Sequence, residues 1–131
     1  VARAKRFGEL VGLCFQIRDD IFDYYEDAKI GKPTGNDMAE GKLTLPAIYA
    51  VCQSGDNEVI RLAKLVKTGE ATSDDIAKLV KLTKQYGGVE YAEKRMIELH
   101  NEAITLLDKW QNNDVKRALK GYIDFVVNRN I

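Results

Sequence analysis

Apolar residues along this chain recur at intervals of three and four, and almost nowhere with the strict alternation of a half-buried strand. A helix lines up residues i, i+3 and i+4 on one face while a strand lines up every second residue, so this spacing restricts the chain to packed helices. The breaks in the pattern fall at Gly, Pro, Asn and Asp, the residues that end helices and make turns. The predicted architecture is an all-α helical bundle in a single domain over residues 1–131, its 45% hydrophobic content enough for a modest core.

The first helix is expected from about Ala2 to Asp27, followed by a polar, Gly-rich loop from Ala28 to Thr44. Pro46, early in a helix where its missing N–H costs nothing, opens a short apolar helix through Cys52 that Ser54-Gly55 stops. Asp56 or Asn57 caps the next helix, through Lys67, and Ser73, with Asp74 and Asp75, starts one that runs to Tyr86 and ends at Gly87-Gly88. From Val89 to Trp110 a helical stripe of Ala92, Met96, Leu99, Ala103, Leu106 and Trp110 should face a core; Asp114 then caps a last helix with Leu119, Tyr122, Ile123 and Val126 inward. The helical pattern is already running at Ala2 to Phe7 with no cap ahead of it, which reads as a sequence that starts in mid-helix. No internal repeat interrupts it.

Twenty Lys plus Arg balance twenty Asp plus Glu, so no global field draws the protein to nucleic acid or an anionic membrane, and any function that uses charge must be local. Cys14 and Cys52 sit in apolar helical surroundings and are expected as two buried thiols in a cytoplasmic protein without disulfides. No apolar run approaches the ~18 residues of a membrane span, and no charged-then-apolar leader begins the chain. Neither a transmembrane segment nor a signal peptide is therefore expected.

One local concentration of charge stands out. At ~100° per residue, Gln16, Asp19, Asp20, Asp23 and Asp27 fall within an arc about 100° wide, with Gly8 and Gly12 on the same arc one and two turns earlier. Leu10, Leu13, Cys14, Ile17 and Ile21 gather on the other side. Carboxylates three and four positions apart repel one another, and a hard divalent cation such as magnesium relieves this by binding their oxygens while water and phosphate fill its remaining positions. Taken alone, such acids read first as a solvated face. Directly downstream, however, Gly31-Lys32-Pro33-Thr34-Gly35-Asn36-Asp37 and Glu40-Gly41-Lys42-Leu43-Thr44-Leu45-Pro46 place two lysines and a further aspartate on a glycine-rich segment. Lysine is a compact point charge suited to diphosphate, and glycine lets backbone N–H groups approach one. Acids for a metal followed by bases for phosphate describe a metal-diphosphate site. A nucleotide P-loop is excluded because Leu43 follows Lys42 where Ser or Thr is required, and an EF-hand because the acids lie within a helical pattern.

The ordered set Phe7-Gly8, Gly12, Phe15-Gln16, Asp19-Asp20, Asp23, Gly31-Lys32, Gly35, Asp37, Glu40-Gly41-Lys42 and Thr44-Leu45-Pro46 resembles the trans-prenyltransferases, the farnesyl, geranylgeranyl and longer-chain polyprenyl diphosphate synthases. The likeness is dense over the first third of the chain. Beyond it only a pattern is shared, through Ala92, His100, Ala103, Leu107, Arg117, Leu119 and Phe125-Val126-Val127 to Arg129. The resemblance implies the C-terminal part of the isoprenoid synthase fold and a head-to-tail condensation. In it an allylic diphosphate ionises with Mg2+ assistance, isopentenyl diphosphate attacks the cation, and a proton is lost. Asp19, Asp20, Asp23 and Lys32 are the implied catalytic set. Asp19 and Asp23 would hold Mg2+, with Asp20 in contact or one ligand further out, and Asp37 would orient metal-bound water. Lys32 and Lys42 would contact the allylic diphosphate, and Gln16 would lie beside the reacting allylic carbon.

Whole members of that family carry an earlier aspartate-rich motif with paired arginines on an opposing helix, and neither is in this sequence. The resemblance therefore implies that this chain by itself is inactive and that the full-length protein is a homodimer. Two further readings stay open: a regulatory subunit of a heteromeric prenyl synthase, and a class I terpene synthase, which the Asp19-Asp20-x-x-Asp23 pattern disfavours. His100 is expected at a surface or edge, Tyr24 and Tyr25 in packing, and Arg129 as an exposed terminal charge.

Overall fold

The computed structural model of the protein describes residues 2–25, 34–109 and 113–128. Among them all regular structure is helical: α1 (Ala2–Phe22), α2 (Asn36–Ala39), α3 (Leu45–Ser54), α4 (Asn57–Thr68), α5 (Ser73–Gln85), α6 (Gly88–Leu107) and α7 (Asn113–Asn128). The all-α expectation is met, and no described helix is long and apolar enough to cross a membrane. The chain divides into two compact units, one of Val1–Asp19 with Glu93–Ile131 and one of Asp20–Ala92, so that both boundaries fall within helices.

In the first unit α1 buries Phe7, Leu10, Cys14 and Ile17, α6 buries Met96, Leu99, Ala103 and Leu107, and α7 buries Ile123 and Val126. Polar links fix their order. Arg6 donates from both Nε and Nη2 to Glu102 Oε1 (3.3 and 2.9 Å) and the Cys14 thiol faces the Met96 carbonyl at 3.6 Å, which sets α1 beside α6. His100 Nε2 lies 2.6 Å from Asp124 Oδ1 and joins α6 to α7, which is the edge role expected of it. Burial pushes the Cys14 thiol up from its usual pKa. Tyr122, expected inward, is exposed, and the α6 stripe closes on Leu107 rather than Leu106; Trp110 lies outside the described residues.

In the second unit α3, α4 and α5 pack against one another, with the short α2 against α4 and α5. The buried side chains are Val59, Leu62, Ala63 and Val66 on α4, Leu79 and Val80 on α5, and Ala47 and Ala50 on α3. Cys52 is exposed rather than buried: α3 buries Pro46, Ala47 and Ala50, and two further residues turn the helix about 200°, away from that face. Asp56 caps α4 by accepting the Glu58 N–H at 2.8 Å, and its other oxygen accepts the Tyr86 hydroxyl at 2.7 Å. The cap of α5 is Thr72 rather than Ser73, in a reciprocal box with Asp75. At the start of α6, a Cβ on Gly88 would overlap the Pro46 carbonyl oxygen and the Thr83 methyl, so only glycine lets α6 begin that close to α3 and α5.

Candidate functional site

The acids stand at the C-terminal end of α1. The helix stops at Phe22, five residues short of the expected Asp27, because Tyr24 N–H and Tyr25 N–H close onto the Ile21 and Phe22 carbonyls at 3.0 and 3.1 Å. Asp23 is thereby moved off the helix into a turn, and Asp27 lies outside the described residues. What holds the turn is Asp23 itself. Its Oδ1 accepts the Asn36 N–H and its Oδ2 the Asp37 N–H, both at 3.0 Å, and its carbonyl accepts the Gly35 N–H at 3.0 Å. Gly35, the left-handed N-cap of α2, has no capping side chain, so Asp23 supplies the cap from thirteen residues upstream. Gly35 needs its φ of +78°, and a Cβ there would come within 2.6 Å of Ile76, so this glycine answers first to packing.

Asp20 is 8% exposed and Asp23 6%, both in the second unit; Asp19 and Gln16, in the first, are exposed. The last turn of α1 contains acids and no base. A helix C-terminus already carries partial negative charge, and buried carboxylates add to it, so this end favours a cation. The donors are all hard oxygens, the chemistry that suits magnesium. Among the described residues no three His, Cys, Asp or Glu side chains gather as a ready-made metal cage.

The downstream bases are less concentrated than the sequence suggests. Lys42, with its side chain 66% exposed, pairs with Glu40 at 3.2 Å, and its N–H bonds the Asp37 carbonyl at 2.8 Å. That backbone bond ties the Lys42 segment to Asp37, which is half-buried. Lys32 lies outside the described residues. Gly8 and Gly12 are exposed, and a Cβ on either would meet nothing within 4 Å. Tyr24, expected to pack, is buried beside the acids, and burial pushes its phenol well above its usual pKa.

An all-helical fold whose first helix ends in two adjacent carboxylates, followed at once by a turn tied through Asp23, defines a helical protein with an acidic helix end. Residues 1–83 match the model of the Polyprenyl synthetase family, and the chain belongs to that family. It is 32% identical over 130 residues to a short chain isoprenyl diphosphate synthase of Methanothermobacter thermautotrophicus, taking in 98% of this chain and 39% of the relative. It superposes on the geranylgeranyl pyrophosphate synthase of Bacteroides thetaiotaomicron with a TM-score of 0.90 at 45% identity, over 98% of this chain and 41% of that one. The polyprenyl synthase of Caulobacter crescentus, solved in complex with calcium and isoprenyl diphosphate, matches at a TM-score of 0.82 and 29% identity, over 99% and 40%. The helices are thus part of the all-α isoprenoid synthase fold, and the chain spans about two fifths of the length of these relatives.

Proposed function

We propose that this chain furnishes one metal-and-diphosphate half of a prenyltransferase that joins isopentenyl diphosphate to an allylic diphosphate, in a dimeric cytoplasmic enzyme that extends beyond these residues. The observation that carries the reading is the last turn of α1, acidic and without a base, leading to Asp23 in a member of this family. The crystallised relative that holds calcium and isoprenyl diphosphate supports a divalent ion and a diphosphate ligand for this chain too.

On this reading Asp19, Asp20 and Asp23 would hold Mg2+, with Asp37 orienting its water. Magnesium is commonly held by one or two carboxylates and completed by water and phosphate, so a sparse set of protein ligands suits it. Bound there, the ion supplies Lewis-acid neutralisation of the departing diphosphate. The protein's own groups do the rest. Lys32 and Lys42 hold the diphosphate by charge, and Gln16 turns its amide toward the allylic end. Asp23 fixes the start of α2, and with it Asp37 and the Lys42 segment, relative to the turn. No nucleophilic side chain is needed, since the work is positioning and electrostatic stabilisation.

The test is a product assay with a series of allylic primers of increasing length, comparing a longer protein that contains this chain with its Asp19→Ala variant. Turnover should fall by at least about 100-fold, the loss typical of removing an electrostatic catalyst. Unchanged turnover rejects the metal role.

A further inference from the structure

The second unit also carries a groove of about 370 Å³ beside α3 and α4, and its walls are almost wholly apolar. Leu43, just ahead of α3, and Val51 within it line the groove together with Ile60 and Ala63 of α4. Leu43, Val51 and Ile60 are only half-buried, so apolar surface is left wet there. Sites for small molecules are of this kind, mostly apolar and upward of ~300 Å³, with a few polar groups that fix orientation.

Two lysines supply the only charge on the wall. Lys64 and Lys67 stand at i and i+3 on α4, with exposed side chains whose stems border the groove. Neither forms an ion pair with another described residue, whereas Arg61 on the same helix is paired with Glu58, as is Lys78. Thr68, also on the wall, spends its hydroxyl on the Leu65 carbonyl at 3.2 Å. An apolar trough that offers only two cations at its edge is complementary to an apolar chain with an anionic head.

Shape narrows the class. From Ile60 to Thr68 the groove follows α4 for about 12 Å, a little over two turns. A volume of about 370 Å³ spread over that length is too narrow for a partner helix, whose body is about 10–12 Å across, and suits one flexible chain.

We propose that this groove is a second binding site, separate from the acidic turn, for a prenyl diphosphate, its tail along Leu43, Val51 and Ile60 and its head on Lys64 and Lys67. The choice of a prenyl tail rests on the function proposed above, which releases a molecule of this chemistry. Leu43 directly follows Lys42, whose N–H bonds the Asp37 carbonyl at 2.8 Å, so a tail seated there borders the segment assigned to diphosphate.

Calorimetric titration of geranylgeranyl diphosphate into the longer protein that contains this chain, in EDTA, tests it. The acidic site needs a divalent ion to hold a diphosphate, and the groove does not. One equivalent should bind. Lys64→Ala with Lys67→Ala should weaken binding at least about tenfold through loss of the charge-assisted contacts, and Arg at both positions should retain it. Thr68→Trp, which fills the groove from its exposed end, should abolish binding, and inorganic diphosphate, having no tail, should bind far more weakly. Four results overturn the site: no binding in EDTA, as when the rest of the longer protein covers the groove; binding that neither variant alters; inorganic diphosphate bound as tightly; or palmitate bound as tightly, which would make the groove a fatty-acid site. Absent prenyl transfer with binding in EDTA intact sinks the proposed function and leaves the groove, whereas intact transfer without that binding sinks the groove alone.

Discussion

Asp23 uses one carboxylate to gather two backbone amides of a segment thirteen and fourteen residues away, and such charge-assisted bonds are stronger than neutral ones. Asp23→Asn keeps the shape but sets an NH2 against one of the two donors. It should cost about 1–2 kcal/mol of stability in urea unfolding, with turnover lost as well, and Asp23→Ala should cost more. Two glycines are expected to respond in opposite ways. Gly88→Ala drives a methyl into the Pro46 backbone oxygen and the Thr83 side chain, a misfit of about 1–3 kcal/mol visible as a lower melting temperature. Gly12→Ala meets nothing within 4 Å and lies inside α1, so it should raise stability by roughly 0.5–1 kcal/mol. If the open side of α1 is a substrate path, that same variant should raise KM for the allylic diphosphate. A more stable Gly12→Ala protein with unaltered kinetics would reject the path.

Among the helices, the contact of α4 with α5 carries a pH dependence whose sign is set by Glu58. Hydrogen bonds from Arg61 and then Lys78 hold its carboxyl down at about 2, against 4.5 for the free side chain. A depressed value in the folded state means that the stabilisation is in place above pH 4.5 and drains away as pH falls toward about 2. Asp56, held down chiefly by the Tyr86 hydroxyl, and Asp75, held down chiefly by the Thr72 amide, act in the same sense. The melting temperature should therefore drop through that acid range, and Glu58→Gln should flatten part of the drop; an identical profile in the variant would dismiss the network. Elements of this kind were legible in advance because their signals are local: Pro46 at a helix start, Gly55 in a left-handed cap, acids in the first turn of α5. The end of α1 was not, because the turn that follows Phe22 is tied by bonds that Asp23 makes to residues far along the chain. The same long-range capping produced α2 inside what reads as loop. Asp19 and Asp20 were readable as residues of α1 from the helical pattern, whereas the place of Asp23 in a turn was not.

For the whole molecule, the decisive fact is that the chain matches about two fifths of its relatives' length, with a single set of acids at the end of α1. A departing diphosphate gathers negative charge as its C–O bond breaks, and stabilising that charge in line requires cations held on it from both sides. Carboxylates presented from one helix end can recruit a divalent ion but cannot by themselves define the far side of a reacting pair. The 131-residue chain should therefore bind Mn2+, observable as loss of the free-ion electron paramagnetic resonance signal, with Asp19→Ala weakening the binding. Given both diphosphates, it should release no elongated product, whereas a longer protein that contains this chain should do so. Prenyl transfer by the 131-residue chain alone would show that the second set of cation ligands is dispensable and that this helix end suffices for the chemistry.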